Sequence, residues 1–282
     1  MGTLYVVATP IGNLSDFSIR AIDTLKNSDL ILAEDTRQTI KLLNHFDINT
    51  KMISYHKFNE MQRVNSIIND LKNGKNIALV SDAGTPCISD PGYILVKEAR
   101  ESKIDVIGVP GASAVITALS IGGLDTSSFA FYGFVPTDKK GKDELFDSIK
   151  NSNIKTKVVY ESPKRVLKLL EDLIREIPGC VVSVCSELTK VHEKCYYGNV
   201  EDVYGKMKAD SSVEKGEYVV LISNEMQDTE KIDNSIESKI VDIMVKENKS
   251  IKEAVDTLNA HNKNLRKKDI YNAGLNLKNI IK

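Results

Sequence analysis

The chain has 282 residues, 41% of them hydrophobic and 27% charged, a composition of ordinary globular proteins that excludes a disordered or collagen-like polypeptide. Thirty-eight Lys and Arg oppose 39 Asp and Glu for a net charge of -1, so the whole chain lacks the footprint of a nonspecific nucleic-acid binder and any basic surface is local. No apolar run approaches the roughly 18 residues of a membrane span, and the N-terminus lacks a basic segment leading into an apolar one, which points to a cytoplasmic protein away from membranes.

From residue 3 to about 223, short β-branched runs alternate with amphipathic stretches, the pattern of an α/β architecture. In a first block, strands are predicted at 4–8, 30–33, 52–55, 77–80 and 106–109, each apolar at consecutive positions as a sheet buried on both faces requires. A helix that places Val64, Ile67, Ile68 and Leu71 on one face opens near Asn59 and stops before Gly74. In a second block, strands are predicted at 129–135, 157–161, 181–185 and 218–222, with a hairpin around 195–200. A helix there starts at Pro163, carries Val166, Leu170, Leu173 and Ile177 on one face, and ends at Pro178 and Gly179. Gly122, Gly123 and the polar residues up to Ser128 divide the blocks as a hinge, and a ligand cleft is expected between the two sheets. Beyond a polar run from Glu225 to Asn234 the pattern is purely helical. The expected organisation is therefore two α/β domains, 1–122 and 123–224, followed by a helical extension at 231–282. That extension holds 11 basic and 7 acidic residues, a local basic excess in an otherwise slightly acidic chain.

Polar residues gather at the carboxyl ends of the predicted strands, where open α/β sheets bind ligands. After the first strand come Thr9, Pro10, Ile11 and Gly12, with Ser15 or Asp16 placed to cap a following helix. This loop is neither GxGxxG nor GxxxxGK[ST], so dinucleotide and Walker-type nucleotide sites lack their signatures. Glu34-Asp35-Thr36-Arg37 follows the second strand; Asp35 or Thr36 is expected to cap a helix, which leaves Glu34 and Arg37 for a cleft-facing ion pair or a substrate contact. The fourth strand runs into Ser81-Asp82-Ala83-Gly84-Thr85-Pro86-Cys87-Ile88-Ser89-Asp90-Pro91-Gly92, richer in Asp, Pro and Gly than a connection needs. After the fifth strand, Pro110 to Ala114 are small enough to let a ligand reach a helix N-terminus, whose free amides would hold a carboxylate. Glu161 to Arg165 and Ser186 to Lys190 sit at two further strand ends. The four histidines and four cysteines show no metal-ligand spacing; Cys180 and Cys185 are read as small core residues and no metal is predicted.

Taken together, TLYVVATPIGNLSDFSIRAIDTL, ILAEDTRQTIKLLNHF, ALVSDAGTPCISDPG, VPGASAVITAL, FYGFVP, YESPKR, SELTKVHE and GEYVVLIS resemble one family, the bacterial 16S ribosomal RNA cytidine 2'-O-methyltransferases of the tetrapyrrole methylase superfamily. The resemblance covers about residues 2–223, and SIKEAVDTL and LRKKDIYNAGL are similar to the family's helical extension. It implies S-adenosylmethionine bound between the two α/β domains, methylation of a decoding-site cytidine ribose in 16S rRNA within the small ribosomal subunit, and a homodimer. By motif, it implies cofactor contacts at Pro10 and Ile11, Asp82, Gly84 and Thr85, Ser113 and Ala114, and, on looser alignment, Tyr160, Ser186 and Glu217. Two positions depart from the family: Cys185-Ser186 stands where an Ala-Arg pair is usual, and lysines follow FYGFVP where Arg is usual, which keeps charge but loses the planar fork.

For a ribose acceptor, Glu34, Asp35 or Glu161 is expected to take or orient the hydroxyl proton, with Arg37 or Arg165 on a neighbouring phosphate. RNA contact is expected at Lys139, Lys140 and Lys142 and at Arg266, Lys267 and Lys268, because phosphates dominate nucleic-acid affinity. Phe131, Tyr132 and Phe134 are candidates for stacking a splayed base or for the core. Two other readings are open: a methylase of tetrapyrrole rings, and a noncatalytic RNA-binding module regulated by S-adenosylmethionine.

Overall fold

The computed structural model describes residues 1–226, 236–261 and 266–280. They fall into two compact units, Met1–Gln227 and Asp228–Lys282. In the first unit, β1 (Thr3–Val7), β2 (Leu30–Ala33), β3 (Met52–Ser54), β4 (Ile77–Val80) and β5 (Asp105–Val109) form an all-parallel sheet in the order β3-β2-β4-β1-β5. The helices α1 (Ile19–Lys26), α2 (Thr36–His45), α3 (Glu60–Lys72) and α4 (Tyr93–Glu101) connect them. Strand side chains alternate between two cores. Leu30, Leu32, Ile77 and Leu79 pack with Val64, Ile67 and Leu71 of α3 and with Leu95 of α4. Ile31, Ala33, Ala78 and Val80 pack on the other face with Ala21 and Leu25 of α1 and Leu43 of α2. This double burial is why β2 and β4 are apolar at every residue.

The expectation of a doubly buried strand does not hold for β5. It is an edge strand, and its Ile107 is 43% exposed. Nor do Ser15 or Asp16 cap α1: they lie in a short 3-10 turn opened by Asn13, and Ser18 is the cap. Asn59 precedes α3 as expected, and Gly74 follows it.

The chain crosses to a second sheet through α5 (Ala114–Ile121) and Gly122. That sheet has the order β6-β7-β10-β8-β9, with β6 (Phe129–Phe134) parallel to β7 (Thr156–Glu161) and the other neighbours antiparallel: β8 (Cys180–Ser186), β9 (Lys194–Asn199) and β10 (Tyr218–Met226). One face is covered by α6 (Lys139–Asn151), α7 (Val166–Glu176) and α8 (Val200–Lys208), and the other by Val115, Ala118 and Leu119 of α5. Thus α5 leaves the first sheet and packs on the second, which sets the two sheets on either side of its N-terminus. The predicted hairpin is the β8–β9 pair. Pro163, expected inside a helix, stands in the turn before α7, where Ser162 O accepts the amides of both Arg165 and Val166.

The second unit contains α9 (Ile236–Glu247), α10 (Ile251–His261) and α11 (Lys267–Ile280), packed around Ile240, Ala254, Leu258, Ile270 and Ala273. Ser250 and Glu253 form a reciprocal capping box that starts α10. The polar run from Glu225 to Asn234 lies, beyond Met226, outside the described residues. No described helix is long and apolar enough to cross a membrane.

Candidate active site

Three loops at the carboxyl ends of adjacent strands are tied to one another. Thr9 N–H donates to Gly84 O at 2.8 Å and Gly84 N–H returns to Thr9 O at 3.0 Å, which joins the loops after β1 and β4. Thr85 Oγ1 donates to Ala112 O at 3.3 Å and adds the loop after β5. Gly84 has φ +79°, a conformation open to glycine, and its bare backbone faces Ile11. Cys87 and Ser89, in the same loop, also hold positive φ without being glycine, the kind of backbone strain that concentrates at binding sites.

Opposite them stands the loop after β8. Lys190 Nζ lies 2.9 Å from Glu187 Oε1 and 3.1 Å from Glu217 Oε2. Glu187 Oε1 also accepts the Glu217 amide. Gly216, at φ +87°, leaves no room for a side chain, because a Cβ there would meet Glu187 Oε1 at 2.5 Å. A Cβ at Gly12 would meet the Lys190 side chain at 2.5 Å, so the two sets of loops touch; Ile11 and Glu217, next to these contacts in sequence or space, line a cleft of about 460 Å³, a size ordinary for a small-molecule cofactor.

Of the residues singled out in the sequence, Ile11, Asp82, Gly84, Thr85, Ser113 and Ala114 line this cleft from the first sheet, and Tyr160 and Glu217 from the second. Pro10 and Ser186 are not in its lining. Ser186 is buried in the sheet, in register with Tyr218 and Lys194. The amides at the start of α5 are not all open to a carboxylate, since Ser113 Oγ takes that of Ile116.

The candidate catalytic residues separate. Glu34 lines the cleft, half-buried, and its carboxyl is raised by burial first and by Asp82 second. Asp35 caps α2 and grips Arg37, with contacts of 2.7 and 3.0 Å to the guanidinium; this holds its carboxyl down at about 2, so it is a weak base. Arg37 thus pairs with Asp35 rather than Glu34, and its side chain is 87% exposed. Glu161 reaches the cleft wall but its side chain is only 2% exposed; it is held at 2.6 Å by Arg165 and at 2.6 Å by the Ser162 amide. Arg165 is anchored further by Ser162 Oγ.

One cleft residue escaped the sequence reading. Asp90 lines the cleft, and its carboxyl is pushed up to about 6 by burial first and by Glu34 second. The signal was the second Asp of the long loop after β4, which carried no pattern of its own. Tyr160 is also raised, to about 12, by burial and then by Asp90. Among the described residues the cleft lining holds five carboxylates and no Lys or Arg, an environment for cationic groups. Phe134, one of the stacking candidates, lines the cleft with its ring 5.3 Å from Tyr160, whereas Phe131 and Tyr132 pack against the cores.

Residues 3–204 match the family model described as Tetrapyrrole (Corrin/Porphyrin) Methylases, so fold and cleft are those of an S-adenosylmethionine-dependent methyltransferase. Solved structures with this fold include diphthine synthase (TM-score 0.61, 13% identity, covering 79% of this chain and 90% of that one). Another is a uroporphyrin-III C-methyltransferase of Thermus thermophilus complexed with S-adenyl homocysteine (TM-score 0.53, 16% identity, 79% and 97%). At the sequence level the chain is 49% identical over 221 residues to ribosomal RNA small subunit methyltransferase I of Halalkalibacterium halodurans, covering 78% of this chain and 75% of the relative. The protein of the same name from Escherichia coli O157:H7 is 43% identical over 222 residues, covering 78% and 77%. The chain belongs to the ribosomal RNA small subunit methyltransferase I branch of the tetrapyrrole methylase family.

The cleft fits the cofactor. S-adenosylmethionine carries a sulfonium and an ammonium, which the carboxylates complement, and an adenine suited to the apolar wall of Ile11, Tyr160 and Val219. Gly84 and Gly216 line the cleft from its two sides.

Proposed function

We propose that the chain methylates the 2'-hydroxyl of a cytidine ribose at the decoding site of 16S rRNA, acting in the cytoplasm as a homodimer on the small ribosomal subunit. The observation that carries the reading is a cleft in which the Glu34 and Asp90 carboxyls are both raised by burial, in a chain 49% identical to a ribosomal RNA methyltransferase. The bound cofactor supplies an electrophilic methyl group. A ribose hydroxyl is a poor nucleophile, so a carboxylate with raised proton affinity is a better base toward it than a free one. Glu34, with Asp90 beside it, has that character; Asp35 and Glu161 are engaged elsewhere. Arg165, fixed by Glu161 at the cleft margin, holds a phosphate next to the target sugar.

The acidic lining repels a phosphodiester, so the RNA backbone is held outside the cleft. Lys139 and Lys140 at the start of α6 and Arg266, Lys267 and Lys268 at the start of α11 are exposed and serve that role. Lys142 belongs to a different set: it lies 3.5 Å from the buried Asp172 carboxylate and is itself largely covered. Exposed Ile107 on the β5 edge, with Ile116 and Ile121 of α5, supports a face for a second copy of the chain.

The test is incubation with methyl-labelled S-adenosylmethionine and small ribosomal subunits lacking the modification, followed by nuclease mapping. Label on a cytidine ribose supports the reading. Label on a base, transfer only to a tetrapyrrole, or binding of cofactor and RNA without transfer would replace it.

A further inference from the structure

The β8–β9 hairpin places two thiols face to face. Cys185 and Cys195 are directly opposed in the antiparallel register, and their sulfurs are 3.1 Å apart. Directly opposed residues of such a pair keep their Cβ atoms about 4.5–5.5 Å apart, against the roughly 3.5–4.5 Å of a disulfide. Closing the bond therefore asks for a pinch of about 1 Å. Among the described residues β9 is an edge strand with β8 as its strand partner, so no second ladder resists that movement.

The two thiols are not equivalent. Cys185 is wholly buried in the apolar layer beneath α5, whereas Cys195 is exposed. The Cys195 sulfur has two donors in reach, the Cys185 thiol and Ser183 Oγ at 3.2 Å. They hold its thiol down, the Cys185 contact most of all, against burial and the opposing charge of Glu193, while Cys185 is driven up by the same contact and by burial. A solvent-facing thiolate backed by a buried thiol is the arrangement of an attacking and a resolving cysteine. The other two cysteines lack it: burial raises Cys180 to about 12 and Cys87 to about 11.

We propose that Cys195 and Cys185 form an oxidisable dithiol whose oxidant is a hydroperoxide. The Cys195 thiolate attacks the peroxide oxygen; an S–O bond forms, the O–O bond breaks, and the leaving oxygen takes a proton from solvent and departs as an alcohol or water. Cys195, oxidised by two electrons, is then a sulfenic acid. The Cys185 sulfur attacks the Cys195 sulfur, the S–S bond forms, the S–O bond breaks, and hydroxide leaves with the Cys185 proton as water. The net change is two thiols and one hydroperoxide to one disulfide, one alcohol and one water.

The ring so closed, residues 185–195, contains Glu187 and Lys190, which bond to Glu217 of the cleft lining. Ser183 and Tyr197, the neighbours of the pair, meet the Gly122–Gly123 crossover between the two sheets. The dithiol thus sits where a change in the hairpin is felt by the cleft.

The experiment uses the full chain, reduced, freed of reductant and exposed under native conditions to hydrogen peroxide. Intact mass should fall by two hydrogens, the thiol count should drop from four to two, peptide mapping should join Cys185 to Cys195 within one chain, and dithiothreitol should reverse all three. In Cys185→Ser, a 1,3-dione probe should trap the sulfenic acid at Cys195 instead. In Cys195→Ser, thiol loss should slow roughly tenfold or more. Accumulation of sulfenic or sulfinic Cys195 without a link in the unsubstituted chain overturns the proposal. So does a first disulfide that involves Cys87, Cys180 or a second molecule. The wild-type measurement decides the matter even if a variant folds poorly.

Discussion

Replacing Asp90 by Asn should make the protein more stable at neutral pH while impairing methyl transfer. The carboxyl is raised from the usual 3.8 to about 6, chiefly by burial and then by Glu34, so the folded chain holds this proton more tightly than the unfolded chain does. The stability that protonation confers is fully present below pH 3.8 and is lost as pH rises through about 6; above that, the fold carries an ionised group in an unfavourable place. At about 1.4 kcal/mol for each tenfold change in protonation equilibrium the full penalty is about 3 kcal/mol. Water reaches the cleft, so roughly 1–2 kcal/mol is expected to be expressed. Asn keeps the shape and cannot ionise. At pH 7.5 its melting temperature should exceed that of the unsubstituted protein by roughly 2–8 °C, at 2–4 °C per kcal/mol for a unit of this size. At pH 4, where the folded carboxyl is already protonated, the gap should shrink to under about a third of that value. Paired calorimetric scans at the two pH values make the measurement. A gap of equal size at both, or a less stable variant at pH 7.5, would refute the assignment of strain to this carboxylate. Stability gained as activity falls is the expected trade at a catalytic position.

Glu34→Gln should lower the single-turnover methyl-transfer rate by on the order of 10²-fold, whereas Asp35→Asn, which keeps the cap of α2, should leave it within about twofold; equal effects would dissolve the distinction between them. Glu161→Gln removes the buried carboxylate of an ion pair whose Arg165 is one-third exposed, and urea unfolding should register a loss of about 1–2 kcal/mol, with no loss arguing that Arg165 finds another partner. Gly122→Ala should destabilise the first unit by about 1–3 kcal/mol, because a Cβ there collides with the Leu221 side chain and the Ala118 carbonyl in a fully packed crossover; an unchanged melting curve would mean that the crossover yields. Charge reversal at Arg266, Lys267 and Lys268 should weaken RNA binding and flatten its salt dependence while leaving cofactor affinity intact, whereas Lys142→Ala should instead lower stability by less than about 1 kcal/mol, since the buried Asp172 loses one of three cationic partners and keeps Arg175 and Lys168.

Much of this molecule was legible in the linear chain, because strand and helix periodicity and turn chemistry are set by neighbours within a few residues. Leu30 to Ala33 and Ile77 to Val80 read as strands buried on both faces and are so. The loop from Ser81 to Gly92 stood out by its Asp, Pro and Gly content, and Asp82, Gly84 and Thr85 do line the cleft. What the chain could not disclose depends on groups far apart in sequence. Asp35 and Glu34 are adjacent and chemically alike; a local cap turns the first onto Arg37, but only the fold sets the second beside Asp82, forty-eight residues on. Lys140 and Lys142 look interchangeable until Asp172, thirty residues on, claims the second. An apolar β5 reads the same whether it is central or at an edge, and Asp90 has no unusual proton affinity until burial and Glu34 confer it. Cys185 and Cys195 are unremarkable at a spacing of ten, and only antiparallel register brings their sulfurs together. Local geometry is written locally, whereas electrostatics and side-chain proximity belong to the folded surface, where distance in space replaces distance along the chain.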